Sequence, residues 1–248
     1  MVKDILTKGI NAREGGNYKD GEKLLKEAYI LSKNLREDKL IIECGNQLSI
    51  QYRLLAGRCA RSLDQISAKK YSLQSLALYH ELVREGLMDL TDKSIQRNYA
   101  HALLYAGYIK HGIKELQKSI EMQIEKEIKG DELCHLASAY TDEVSRDLEK
   151  IKMLVDEGIN LIKVNNGSPI ALTYGLMTKA TALSLERNRL GAIGMLKEAM
   201  DISNERKLTV RIEEIEYLLA KDFQKINVLD AVSGVLREER RNQRYENR

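Results

Sequence analysis

The 248-residue sequence has no tryptophan, one phenylalanine, one proline and three cysteines. A single proline in so long a chain argues against an all-β protein, whose many turns need punctuation. No apolar run approaches the roughly 20 residues that a bilayer-spanning helix requires. The opening Met1-Val2-Lys3-Asp4 places charge where a secretory leader would begin its apolar stretch. Cys44, Cys59 and Cys134 are odd in number and without short pairing, so reduced thiols are expected rather than a disulfide framework. Forty Lys+Arg against 37 Asp+Glu give a net charge of +3, too little to demand nucleic acid or a membrane surface. A hydrophobic share of 43% is too high for a disordered chain. These absences lead to the expectation of a soluble, cytoplasmic, folded protein.

What remains is rich in Leu, Lys, Glu, Ala and Ile, all good helix formers. Breakers cut the chain into helix-length pieces. Gly15-Gly16-Asn17 ends one periodic run, Asp38, Thr91 and Asp131 stand as N-caps, and Ser168-Pro169 puts proline at a first helical position. Within the pieces apolar residues recur at helical spacing, as in Leu24, Leu25, Ala28 and Leu31. The pattern predicts twelve helices near 3–14, 18–34, 38–56, 62–85, 91–106, 109–128, 131–144, 147–164, 169–186, 190–205, 207–221 and 225–241.

Twelve helices pair into six hairpins, and the hairpins repeat. Gly9, Gly21, Leu25 and Ala28 reappear as Ala100, Gly112, Leu116 and Ser119. They reappear again as Ala139, Ile151, Val155 and Gly158, then as Ala180, Ala192, Leu196 and Ala199. Small residues in this register let two backbones approach and the next hairpin stack. The segment from Gly16-Asn17-Tyr18 through Gly21, Leu25 and Ala28 resembles the turn and second helix of a tetratricopeptide repeat. Gly107-Tyr108 to Ser119 and Asn188 to Ala199 are weaker copies. The chain departs from that family in lacking first-helix Trp and inter-repeat Pro. Its period is also longer, roughly 41 residues where that family uses about 34 residues. The resemblance implies a single all-α domain, a right-handed α-solenoid of about six antiparallel hairpins. The second hairpin holds extra residues around 53–66, and residues 225–248 would form a polar capping helix.

Catalytic and cofactor motifs are missing. There is no phosphate-binding glycine loop, and Gly191-Ala192-Ile193-Gly194 follows a helix rather than a strand. His80, His101, His111 and His135 include no pair at i, i+4. Glu132 and His135 form one Glu-x-x-His, where a di-iron bundle needs two. Cys134 and His135 are adjacent, so helical geometry turns them apart. No metal, no cofactor and no enzymatic activity are expected.

The resemblance implies instead a protein that binds a peptide or helix of another protein in its concave groove. Carried over through the repeat register, the groove residues are Arg13, Asn46, Arg97, His101, Tyr105, Tyr140, Glu143, Met177 and Thr181. Arg97, His101 and Tyr105 share one helical stripe, and Tyr140 is expected beside His101 from the next hairpin. Their mixture suits a partly polar, anionic segment. An alternative surface is the basic stretch Arg53, Arg58, Arg61, Lys69 and Lys70. With the Tyr/Arg/His face of the third hairpin, it would suit a nucleic-acid-associated adaptor. Oligomeric state is left open.

Overall fold

The computed structural model describes residues 1–62, 64–89, 93–141 and 146–220. Among these residues there are eleven helices and no strand: α1 (Val2–Glu14), α2 (Tyr18–Leu35), α3 (Asp38–Arg61), α4 (Gln65–Arg84), α5 (Lys93–Tyr105), α6 (Ile109–Met122), α7 (Lys126–Thr141), α8 (Leu148–Val164), α9 (Pro169–Leu185), α10 (Arg189–Glu205) and α11 (Thr209–Ala220). The expected capping helix at 225–248 and Glu143 lie outside the described residues.

Local chemistry sets the helix starts. Asn17, Asp64, Asp147, Ser168 and Asn188 each accept a hydrogen bond from a first-turn backbone N–H, satisfying a donor the helix cannot pair itself. Three hairpin turns share one device, a left-handed residue immediately before the next helix's cap. Gly16 and Gly107 supply it freely, whereas Arg187 adopts the left-handed conformation with a side chain attached.

Each odd helix pairs with the even helix after it, and consecutive hairpins stack. Odd helices also meet odd helices (α1–α3, α3–α5, α7–α9, α9–α11), the arrangement of an α-solenoid whose inner wall is built from first helices. Two apolar cores result. One joins α1 to α5 around Leu25, Leu82 and Tyr79, and the other joins α5 to α11 around Leu104, Leu116, Ile151, Leu176, Leu196 and Ile215. The recurring small residues Ala100, Ala180, Ala192 and Ala199 are all buried, as is Ala28.

Two boundaries differ from expectation, and each has a cause. Helix α3 runs on to Arg61, packing Ala56 and Ala60 against Ala68 of α4. The extra length of the second hairpin therefore enters as helix. Between α6 and α7 the chain breaks at Gln123, which leaves the helix in an extended conformation. Its side-chain oxygen accepts from the backbone N–H groups of Ile124 and Glu125. Helix α7 consequently starts at Lys126, and Asp131 is a buried mid-helix residue rather than an N-cap.

Candidate functional site

The inner wall carries most of the buried charge. Along α5, Arg97 and His101 lie on one stripe, as their spacing requires. Across from them on α7 stand Asp131 and His135. Arg97 ion-pairs with Asp131, and the two imidazoles meet edge to face with centroids 4.1 Å apart. His135 stacks on Tyr174 of α9 at 4.0 Å, and the guanidinium of Arg211 on α11 covers the Tyr174 ring at 5.2 Å. Four successive odd helices thus present one continuous row: His101, His135, Tyr174, Arg211. Arg211 is paired in turn with Glu214.

Arg53 reaches this row from α3. Its Nη2 donates to Asn98 Oδ1 at 3.1 Å, and its Nε is buried with no hydrogen-bond partner. His101 Nε2, His135 Nδ1 and Arg211 Nε are buried and unpartnered in the same way. Such atoms cost free energy, and these four lie along one wall. Burial pushes the Arg53 guanidinium down from its usual range. It also holds both imidazoles far below theirs, with Arg53 and Arg97 adding repulsion at His101, and His101, Arg97, Arg211 and Arg53 at His135. Asp131 lies 3.6 Å from His135 Nε2, but its pull does not overcome the desolvation. Arg53, Arg97, Tyr105, His135, Tyr174 and Arg211 nonetheless all keep part of their surface open. They stand partly open along the inner wall, with Tyr105 and Tyr174 also packed against the core behind it.

The far end of the solenoid comes back to its beginning. A Cβ added at Gly16, in the first hairpin turn, would stand 3.1 Å from Thr209 Cγ2 of α11. Tyr18 donates its hydroxyl to Glu213 at 3.4 Å, and Val210 packs on the α1–α5 core. The first turn and α11 thus meet directly.

Not every residue expected in the groove is there. Arg13 is buried, its Nη1 donating to the Gln47 carbonyl and Oε1 where α1 packs on α3. Asn46 accepts from Tyr79 at 2.6 Å, between α3 and α4. Tyr140 turns away from His101 altogether: Gln117 of α6 and Lys150 of α8 both donate to its hydroxyl, and Lys150 lies 4.0 Å over its ring. Met177 is core, and Thr181 bonds back to its own helix at Met177 O. The basic stretch does not act as one surface either. Arg53 faces the cleft, while Arg58 is exposed and stacks on Tyr18 at 4.7 Å. Lys69 and Lys70 ride on α4, and the Arg61 side chain lies outside the described residues.

The residues the sequence reading overlooked are His135, Tyr174 and Arg211. A signal existed in the spacing. His135 follows His101, and Asp131 follows Arg97, at one common interval, about 34 residues, the length of an ordinary tetratricopeptide repeat. Aligning Ala139 with Ala100 sets a step of 39 residues and puts Tyr140 where His135 belongs.

Other candidate chemistry disperses. Glu132 is fully buried, and burial pushes its carboxyl up despite the nearby Arg97 charge. His135 meanwhile points to α5 and α9, so the Glu-x-x-His pair does not converge. Among the described residues no three His, Cys, Asp or Glu side chains could hold a metal ion. All three cysteines are free thiols. Cys134 Sγ is wedged where Cβ atoms at Gly158 and Gly175 would meet it, and burial raises its pKa far above the thiol range. Among the described residues no helix is long and apolar enough to cross a membrane.

No protein-family model and no curated protein matches the sequence. Solved structures do. BtubC (BKLC) from P. vanneervenii superposes with a TM-score of 0.51 at 15% identity, over 83% of this chain and 81% of that one. A putative kinesin light chain with nearly identical TPR-like repeats from Podosopora anserina gives 0.46 at 12% identity, over 83% of this chain and 96% of that one. The chain folds as a tetratricopeptide-like helical repeat protein, and its inner wall carries the row of Arg, His and Tyr side chains.

Proposed function

We propose that the protein is an interaction scaffold whose inner cleft receives a peptide or helix of a partner protein. The observation that carries this reading is the row His101–His135–Tyr174–Arg211 with Arg53 and Arg97 beside it. It sets partly open aromatic and guanidinium groups along four odd helices, with polar atoms left unpartnered. Tyr and Arg are the side chains that dominate binding energy at protein interfaces, because they bury much area and offer several directed donors. The fold supports a binding role in general, since stacked hairpins create an extended concave wall. The buried Cys134 thiol is held protonated, and His101 and His135 face arginines and an aromatic ring rather than a nucleophile. The free thiols suit a reducing, cytoplasmic setting.

The experiment is recovery of the partner by pull-down with mass spectrometry, followed by titration of the recovered protein against variants. Arg97→Ala and Tyr174→Ala are expected to weaken binding by roughly tenfold or more, as loss of central anchors does. Tyr140→Ala serves as the control outside the cleft. Full affinity in the cleft variants, with loss in an Arg58→Ala/Lys70→Ala variant, would move the site to the outer basic surface. A nucleic acid as the recovered ligand would discard the reading.

A further inference from the structure

The two apolar cores are joined at α5 and again at α11, and the joins are unequal. Helix α5 belongs to both cores. Its Ile95, Ala102 and Leu103 face the first and its Ala100 and Leu104 the second, all of them buried. Helix α11 is fixed in the second core by Ile215 and Leu218, where it packs on α10 and α9. Toward the first core it offers the half-buried Val210, a Thr209 methyl against Gly16, and Glu213, which accepts a long 3.4 Å hydrogen bond from Tyr18. Arg58 of α3 covers the same Tyr18 ring. Such contacts stabilise far less than five buried apolar side chains.

The wall between the joins works against the weaker one. Helices α5 and α7 meet there through side chains, Arg97 on Asp131 and the edge of one imidazole on the other. Arg53 Nε, His101 Nε2, His135 Nδ1 and Arg211 Nε are all buried there without partners. Those atoms raise the free energy of the closed arrangement, and parting the walls would let water reach them.

We infer that the first turn and α11 form a clasp, which closes the solenoid into a ring and parts, with α5 as the hinge, to admit a partner segment to the inner wall. This rests on the proposed function and adds an order of events, opening before binding. The open form is the minor state, so apparent affinity for the partner is reduced by the fraction of molecules that are closed.

A disulfide across the clasp tests this in the full chain. A Cβ at Gly16 would stand 3.9 Å from Thr209 Cβ, within the span of about 3.5–4.5 Å that a disulfide needs. Gly16→Cys/Thr209→Cys is made in a Cys59→Ala background, since Cys44 and Cys134 are buried, and one preparation is compared oxidised and reduced. The left-handed conformation at Gly16 strains a cysteine in both forms alike. The probe is diethyl pyrocarbonate, which acylates accessible imidazoles and is read residue by residue in a mass spectrometer. Oxidation should slow modification of His101 and His135 several-fold and leave the exposed His80 and His111 unchanged. Alkylation of buried Cys134 should stay slow in both forms, which separates clasp opening from global unfolding. In a second variant, Val210→Ser/Glu213→Ala, the clasp contacts are trimmed. There His101 and His135 should react several-fold faster while Cys134 stays protected. Equal histidine rates in the oxidised and reduced protein would overturn the clasp. So would a trimmed variant whose histidines react no faster than the wild type, or only together with Cys134. Partner binding that depends on Arg97 and Tyr174, yet is equal in the oxidised and reduced forms, would end this inference and leave the scaffold reading standing. Histidines shielded by oxidation, with the partner held on the outer surface, would do the reverse.

Discussion

Two hairpins of the same solenoid solve one packing problem in different ways. In α7–α8 the helices touch backbone to backbone. A Cβ at Gly158 would lie 2.6 Å from the Gly130 carbonyl oxygen and 2.7 Å from Cys134 Sγ. In α3–α4 the crossing is made by side chains. Ser49 and Ser75 share a 2.7 Å hydroxyl contact, Gly45 faces only the tips of Leu82 and Tyr29, and Ala56, Ala60 and Ala68 extend the contact outward. The first solution cannot yield, because its neighbours are main chain. The second has length and flexible side chains to spare, and that hairpin carries Arg53 into the cleft.

Adding one methyl group to each crossing breaks the comparison most sharply. Gly158→Ala is expected to destabilise by roughly 3 kcal/mol, the upper part of the overpacking range, whereas Gly45→Ala should cost about 1 kcal/mol or less. Chemical denaturation of both variants measures the difference, and equal losses would show that α7–α8 is no tighter.

Acidity should act next, and on the α5–α7 contact rather than α3–α4. Unfolded histidine titrates near pH 6.5, while burial and the surrounding arginines depress His101 and His135 in the fold. Above about pH 6.5 both states are neutral and stability is level. Below it the unfolded chain takes up protons that the fold refuses, so stability falls as pH drops, with a slope approaching two protons. Melting temperature against pH should show this decline, and a His101→Asn/His135→Asn double variant should flatten it.

The Ser49–Ser75 contact is a smaller lever. Ser49→Ala alone leaves Ser75 its bond to the Ser49 carbonyl at 3.2 Å and should cost about 1 kcal/mol, while Ser49→Ala/Ser75→Ala should cost no more than the two singles added. A double variant worse than the sum of the singles would show that the hydroxyls hold the crossing by more than mutual satisfaction. Smallest of all, Arg187→Gly should stabilise by a few tenths of a kcal/mol in chemical denaturation, because glycine takes the left-handed conformation found there without strain. Lys197→Gly, at an exposed position in the middle of α10, should instead destabilise by about 1 kcal/mol.

How far the sequence reveals the molecule follows from which signals are local. Helix starts at Asn17, Ser168 and Asn188 are written in the caps themselves, and the small-residue register of α2, α6, α8 and α10 can be read directly. Fold class follows from these. The inner wall is harder, because it depends on the phase of one odd helix against the next. Asp131 is the instructive case: an Asp before an apolar run looks like a cap, yet its carboxylate serves Arg97 from mid-helix. The small-residue register, stepping 39 residues from Ala100 to Ala139, likewise matches Tyr140 to His101 and leaves His135 out. Arg53 shows the same limit, since the sequence groups it with the exposed Arg58 and Lys70 while its neighbours in space are Asn98 and His101.

The most direct test of the binding wall is hydroxyl-radical footprinting of the protein with and without its recovered partner. Tyr105, His135 and Tyr174 are partly open in the free chain and should lose reactivity together on binding. Tyr140, against Lys150 on the other side of α7, and exposed Tyr108 should keep theirs. Protection of Tyr108 and Tyr140, with Tyr105, His135 and Tyr174 unchanged, would place the partner on the outer face and contradict the account.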